Sequence, residues 1–189
     1  MVKTRHSTSG FTIIEVLMVV VLIGLIAGIA IPRLNIGSYR VNGAARSLTS
    51  LLARAQRLAV TNQYDVNVLF DIGGNAVRIH EDADGDNVID ANERVRRYPL
   101  GDGVVFGLGG APTRPAGAGP VTFTRQQAGV VELIYRRDGS ASENGAIYIT
   151  TPNALAAGRT RDARSIEVIR ATGRPQWYSY TGTAWVRKF

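Results

Sequence analysis

The chain predicts an α+β fold in which a long amino-terminal helix packs on antiparallel β-sheet. Three observations carry this reading. An almost unbroken apolar run occupies Phe11 to Ile31, an apolar stripe of helical period follows to about Asn62, and the remainder breaks into short strand-like segments between turns. Helix first and strands afterwards argues for segregated layers rather than alternating β/α units. The 189 residues suffice for one domain with a core of its own.

The apolar run, FTIIEVLMVVVLIGLIAGIAI, makes about 31 Å of helix, the depth of one bilayer core. The ten residues before it are polar, with Lys3 and Arg5 and no acid. A basic flank on this side keeps the amino end cytoplasmic and sends the rest outward. Glu15 is the residue that does not fit a plain anchor. A carboxylate in such a run costs several kcal/mol unless it is paired, neutralised or held near the interface, so ~2–4 kcal/mol awaits a partner. No base lies between Thr12 and Ile31, so a charged partner must come from outside the segment. Without one, Glu15 is protonated or reaches for the headgroups.

Three accounts of this segment compete. An ordinary secretory signal would be cut near Gly28-Ile29-Ala30, but its apolar core would not carry Glu15. A simple one-pass anchor leaves the Gly10-Phe11 junction unexplained. Third, Gly10-Phe11-Thr12, then Glu15, then a long apolar helix ending at Pro32 resembles the class III signal of type IV pilins and type II secretion pseudopilins. That resemblance implies a leader at 1–10, cleavage between Gly10 and Phe11 by a prepilin peptidase, and N-methylation of Phe11. It implies that Glu15 pairs with the terminal amine of a neighbouring subunit, which supplies the missing partner. Such a pair sets register between subunits more than it adds net stability.

Pro32 predicts a kink or a local opening, because it removes one backbone donor. Beyond it Val41, Ala44, Ala45, Leu48, Leu51, Leu52, Ala55, Leu58 and Ala59 form one stripe at steps of three and four, with Arg46, Ser50, Arg54 and Arg57 opposite. The expected organisation is therefore an 11–32 membrane and filament-core helix, a 33–62 amphipathic rear helix, and a 63–189 β-rich head. Strands are expected at Tyr64–Phe70 and Asn75–His80 as a hairpin around Gly73-Gly74, then at Arg94–Tyr98, Val104–Phe106, Val121–Thr124, Val130–Arg136, Ala146–Thr150 and Ser165–Arg170. Trp177–Tyr180 and Ala184–Arg187 close the chain as a second hairpin around Thr181-Gly182. Gly107 to Pro120, rich in Gly and Pro, reads as a mobile loop. The order of these features resembles the GspH/FimT group of minor pilins and pseudopilins, and so implies a pilin-like fold. The resemblance also implies a subunit held in the bacterial inner membrane with a periplasmic head, which then joins other pilins or pseudopilins in a filament for protein export. Pilus assembly or DNA uptake by a type IV pilus is the alternative it leaves open.

Glu81 to Glu93, EDADGDNVIDANE, holds six acids and no base. With Asp82 as position 1, the side chains of Asp84, Asp86, Asp90 and Glu93 and the carbonyl of Val88 fall where an EF-hand loop ligates calcium. Several hard oxygens must converge while the chain curls around one ion, and this alternation provides that. Asn87 stands where that loop has Gly, although Asn tolerates the left-handed turn better than most residues. The flanks read as strands, so the expectation is an EF-like loop without an EF-hand fold. The bland alternative is a solvated acidic turn beside Arg94, Arg96 and Arg97.

The overall charge is +7, but it is unevenly spread, with −6 over 81–93 and +8 from Arg94 onward. Arg174, Arg187 and Lys188 lie among Trp177, Tyr178, Tyr180 and Trp185, a mixture of bases and rings that suits nucleic acid. Some FimT-like pilins that take up DNA use a late Gly-Arg-x-Arg motif. Here Gly173-Arg174-Pro175-Gln176 lacks the second Arg, which weakens that carry-over; solvated arginines on a packed hairpin are the alternative. The absence of cysteine removes disulfides, thiolate zinc sites and Cys nucleophiles, and His6 and His80 are the two histidines of the chain. No nucleophile and base at catalytic spacing emerge, so an enzyme is not expected.

Overall fold

The computed structural model describes residues 10–30, 36–114 and 117–189. The chain divides into two compact units, Met1–Ile36 and Gly37–Phe189, and each is taken by itself. The expected break at Pro32 and leader residues 1–9 lie outside the described residues.

In the first unit, α1 runs Ile13–Ala30. Thr12 starts it: the Glu15 N–H donates to Thr12 Oγ1 (3.3 Å) and to the Thr12 carbonyl (3.1 Å). Thr12-x-x-Glu15 is the spacing of a capping box, and an acid at the third helical position faces the positive end of the helix dipole. The capping bonds use the Glu15 backbone, so the cap is the work of Thr12, and the Glu15 carboxylate adds only its charge at the positive end of the helix. The large apolar side chains of Ile13, Ile14 and Val16 to Ile26 are exposed on every side of α1. A helix without a polar face has no stripe to turn inward and must be covered all round. At eighteen residues α1 is about 27 Å long. Among the described residues, no helix is long and apolar enough to cross a membrane.

The second unit opens with α2, Ile36–Asn62. Its predicted stripe is the one that is buried: Val41, Ala45, Leu52, Ala55 and Ala59 are fully enclosed, Ala44 and Leu48 nearly so, and Leu51 and Leu58 pack at the margin. The helix ends where Gln63 enters the left-handed region (φ 59°) and its N–H returns to the Ala59 carbonyl at 3.0 Å. β1 (Asp65–Asp71) and β2 (Ala76–Asp82) follow as the expected hairpin, Asp71 Oδ1 accepting from the Gly74 N–H at 2.8 Å. Then come β3 (Arg94–Pro99), β4 (Val105–Phe106), β5 (Gln126–Gln127), β6 (Val130–Tyr135), β7 (Gly145–Thr150), α3 (Pro152–Ala157), β8 (Arg164–Val168), β9 (Pro175–Tyr180) and β10 (Trp185–Arg187).

All pairings are antiparallel and make two five-stranded sheets, ordered β3-β2-β1-β6-β5 and β10-β9-β8-β7-β4. The α2 stripe, Val66, Val68 and Phe70 of β1, Val77 and Ile79 of β2, and Ile147, Ile149, Ile166 and Trp177 of the second sheet belong to one core. Phe70 joins the sheets, stacking on Phe123 (5.6 Å between centroids) and meeting Phe106 edge-on (6.5 Å). Alternation explains the register: Val66, Val68 and Phe70 face this core, whereas Asn67 and Leu69 face the opposite side.

Besides the two-residue β5, which was not expected, three elements differ from expectation. Val121–Thr124 makes only an isolated bridge, Val121 to Ile147, and Phe123 packs into the core from outside any strand. α3 was not anticipated, yet its start and stop chemistry is complete. Thr151 Oγ1 accepts from the Ala154 N–H at 3.1 Å, Pro152 occupies the first turn, and Gly158 closes the helix at φ 62°. The described residues of the Gly/Pro segment, 107–114 and 117–120, are irregular, as expected, but they are held at several points. Gly107 donates to the Tyr148 carbonyl (2.9 Å), the Tyr148 N–H to Pro120 (2.7 Å) and the Trp185 indole N–H to Pro112 (3.0 Å), while the Tyr148 hydroxyl engages the Arg114 backbone. Its anchors are aromatic residues distant in sequence, which composition alone does not reveal.

One contact ties α2 to both sheets. Gln56 Nε2 donates to the carbonyls of Gly139 (2.7 Å) and Thr172 (2.8 Å), in the turns after β6 and β8. Gly173, at φ 62°, lies so close that a Cβ there would stand 2.2 Å from the Gly139 carbonyl oxygen. Gly173→Ala is expected to lower the unfolding free energy by about 3 kcal/mol, from left-handed strain and overpacking together. Gln56→Ala, which only strands two carbonyls, should cost about 1–2 kcal/mol. Thermal unfolding followed by circular dichroism measures both, and equal effects would refute the packing argument for Gly173.

Candidate functional site

The acidic loop joins β2 to β3 at one margin of the first sheet. Asp82, the last residue of β2, is buried, and its two carboxylate oxygens are occupied by the loop it opens: Oδ1 accepts from Gly85 N–H (2.8 Å) and Oδ2 from Asn87 N–H (3.1 Å). Asp84 Oδ1 accepts from Asp86 N–H (3.2 Å), and Asp86 Oδ1 from Val88 N–H (2.7 Å). The chain is thus curled by successive Asx turns, with Gly85 (φ 80°) and Asn87 (φ 61°) in the left-handed region. This curl brings one carboxylate oxygen from each of Asp82, Asp84 and Asp86 within 4.8 Å of the others.

Glu93 is placed elsewhere. Its Oε2 meets His80 Nε2 at 2.5 Å and accepts from Asp90 N–H at 3.2 Å, while Oε1 accepts from Ala83 N–H at 2.8 Å. Burial pushes the Glu93 carboxyl upward, but the His80 hydrogen bond and the two backbone donors outweigh it and hold the group below its ordinary value. The loop is therefore closed at its base by a carboxylate–imidazole contact. Asp90 contributes its backbone to that closure, and the Val88 side chain is exposed.

Asn87, the departure from the EF pattern, is where the loop meets the sheet. On the outer face of the first sheet lie Asn67, His80, Glu132 and Gln127, all buried and polar. Asn87 Oδ1 accepts from Asn67 Nδ2 (2.7 Å), its Nδ2 donates to Glu132 Oε1 (3.5 Å), and its carbonyl accepts from Gln127 Nε2 (2.5 Å). With its N–H on Asp82, every polar group of Asn87 is used. A glycine would supply the same φ and none of the side-chain bonds. Sequence reasoning missed this polar bed, although a signal exists. Asn67 interrupts an apolar strand, and the hairpin register sets it opposite His80.

The basic residues divide. Arg187 and Lys188 lie beside Arg46 of α2 around one groove, whereas Arg174 sits in the β8–β9 turn and does not line it. The rings nearby are already engaged. Trp177 is buried beneath Arg46 (5.9 Å to the centroid), Tyr178 lies under Arg114 (4.5 Å), and Trp185 packs on Tyr148 and Tyr180. Arg114 also pairs with Glu167 at 3.1 Å.

If Asn87 is kept for its side chain, Asn87→Gly lowers stability despite relieving the backbone, by about 1–3 kcal/mol through the buried partners it strands. Thermal unfolding of the two proteins decides this, and a glycine variant more stable than its parent would show that backbone conformation dominates.

A search of the curated proteins finds no match. Among solved structures, the chain is similar to the minor pseudopilin EpsH from the Type 2 Secretion System of Vibrio cholerae, at 10% identity and a TM-score of 0.48, over 77% of this chain and 99% of that one. The model of the prokaryotic N-terminal methylation motif matches residues 5–31, the segment that holds Gly10, Phe11 and Glu15. At its amino terminus, this chain is type IV pilin-like.

Proposed function

We propose that the chain is a minor pseudopilin of a type II protein secretion system, a structural subunit of a filament that drives protein export. The observation that carries this reading is the N-terminal methylation motif over residues 5–31, with Glu15 as the one ionisable group in α1. The apolar run from Phe11 to Ile31 holds the precursor in the inner membrane, cytoplasmic end first. Prepilin peptidase cuts between Gly10 and Phe11 and methylates Phe11. α1, apolar on every side, then leaves lipid for the filament core, where neighbouring helices cover it as lipid did. Glu15 pairs there with the terminal amine of another subunit. The second unit, with its own core, is the outward head.

In the head, the acidic loop is proposed to take calcium. The fit is partial: Asp82, Asp84 and Asp86 converge as hard-oxygen ligands and would hold the ion, with the Val88 carbonyl and Asp90 as further donors along the loop. Glu93 is occupied by His80 and two N–H groups, so the loop would bind through its first half. Bound calcium would offset the mutual repulsion of six acids and brace the β2–β3 connection.

Mass spectrometry of the protein from its host membrane tests the processing: the mature chain should begin at methylated Phe11. Glu15→Ala should be cut normally but lose incorporation into filaments and export. A mature end near Ile31 would overturn the pilin-type reading, and loss of surface pili or DNA uptake with export intact would move the subunit to a type IV pilus. For the metal, millimolar calcium should raise the melting temperature of the full chain in detergent, by an increment that Asp84→Ala abolishes. No shift leaves the loop a solvated turn.

A further inference from the structure

α2 and the carboxyl-terminal hairpin enclose a second charged feature, independent of the amino-terminal signal. Two adjoining cavities of about 430 and 310 Å3 share Arg46, Trp177 and Lys188 in their walls. Arg187 lines the larger, and Asn42 and Arg164 the smaller. Among the described residues, no Asp or Glu lines either cavity.

Arg164 is the informative member. It is 5% exposed, and neutral groups hold it in place: Nε donates to Asn42 Oδ1 (2.7 Å), and Nη1 to the carbonyls of Arg161 (2.9 Å) and Ala163 (2.8 Å). Asp162 acts on it only at longer range and lies 3.8 Å from Arg159 instead. Burial pushes the guanidinium pKa down, and the Asp162 charge offsets this only in part, as expected for a cation whose solvation is replaced mainly by dipoles. A buried charge in this condition is stabilised by any anion that reaches it. Arg46 is held over Trp177, and Arg187 over Phe189 at 5.0 Å, so two further guanidinium groups are partly ordered in advance.

The geometry points to a carboxylate-binding groove at this junction, one that receives acidic side chains from a segment of a partner protein. Guanidinium forks match carboxylates in pairs of hydrogen bonds, a geometry open to Arg46 and Arg187, while Arg164, with Nε and Nη1 already engaged, adds its charge and Nη2 at the wall of the smaller cavity. Single-stranded nucleic acid is a poorer occupant, since it needs free ring faces for stacking. Trp177 is buried, Tyr178 is covered by Arg114, and Trp185 is packed between two tyrosines with its N–H on Pro112, so the exposed ring of Phe189, which lines both cavities and carries Arg187 on one face, leaves a single face for stacking.

The test uses the full chain in detergent micelles and a fluorescent ten-residue peptide of alternating Asp and Ser, with binding read by anisotropy. Arg46→Glu and Lys188→Glu should each weaken binding about tenfold or more. Arg54→Glu, an equal charge change at an exposed position of the same helix, should change it less than about twofold. Equal losses in all three variants, or no binding by the parent, would refute the groove. A single-stranded oligonucleotide of equal charge that binds more tightly, and weakens with the same two variants, would give this surface to nucleic acid. Arg46→Gln or Lys188→Gln, which removes the charge without reversing it, replaces the Glu variant of the same residue if the melting temperature of that variant departs from the parent's.

Discussion

The head depends on one constraint: the apolar stripe of α2 must be covered by two sheets together. The stripe is built largely from small residues, with Ala44, Ala45, Ala55 and Ala59 interspersed by Val41, Leu48 and Leu52. Small side chains leave room for the large residues of both sheets to interdigitate against the helix. The chain has no cysteine to brace this arrangement. Polar contacts at the periphery provide the bracing, Gln56 at one end of α2 and Asn42 with Arg164 toward the other.

Much of the fold was legible because its elements are long and periodic. The α2 stripe was read residue for residue, and β1, β2, β3, β6, β7, β8 and the final hairpin fall within a residue or two of expectation. What escaped is short or non-local. β5 has two residues, too few for any alternation to register, and α3 has six, announced only by Thr151, Pro152 and Gly158. The Gly/Pro segment read as mobile because the groups that hold it, Tyr148 and Trp185, lie elsewhere in the chain.

The candidate sites divide along the same line. Gly10, Phe11 and Glu15 form a contiguous signal that reads directly from the chain. The convergence of Asp82, Asp84 and Asp86 follows from local alternation. The diversion of Glu93 to His80 does not, because it depends on a cross-strand register and on which face of β2 is covered. Asn87 shows this most clearly. Measured against a loop pattern it is an imperfect glycine, but in the folded protein it bonds to Asn67, Gln127 and Glu132 from three different strands. Arg164 and Lys188, likewise, meet Arg46 only after the sheets have formed.

The position of β3 constrains how such heads can meet. It is an outermost strand of the first sheet, mostly exposed, and it carries Arg94, Arg96 and Arg97 before ending at Pro99. Unpaired backbone on an outer strand is a template for another chain, but a row of like charges resists a second copy of itself, and proline withholds a donor. Growth by adding strand to strand is thereby discouraged at this edge. A second chain meeting the head at this edge must therefore do so through side chains rather than through a shared sheet.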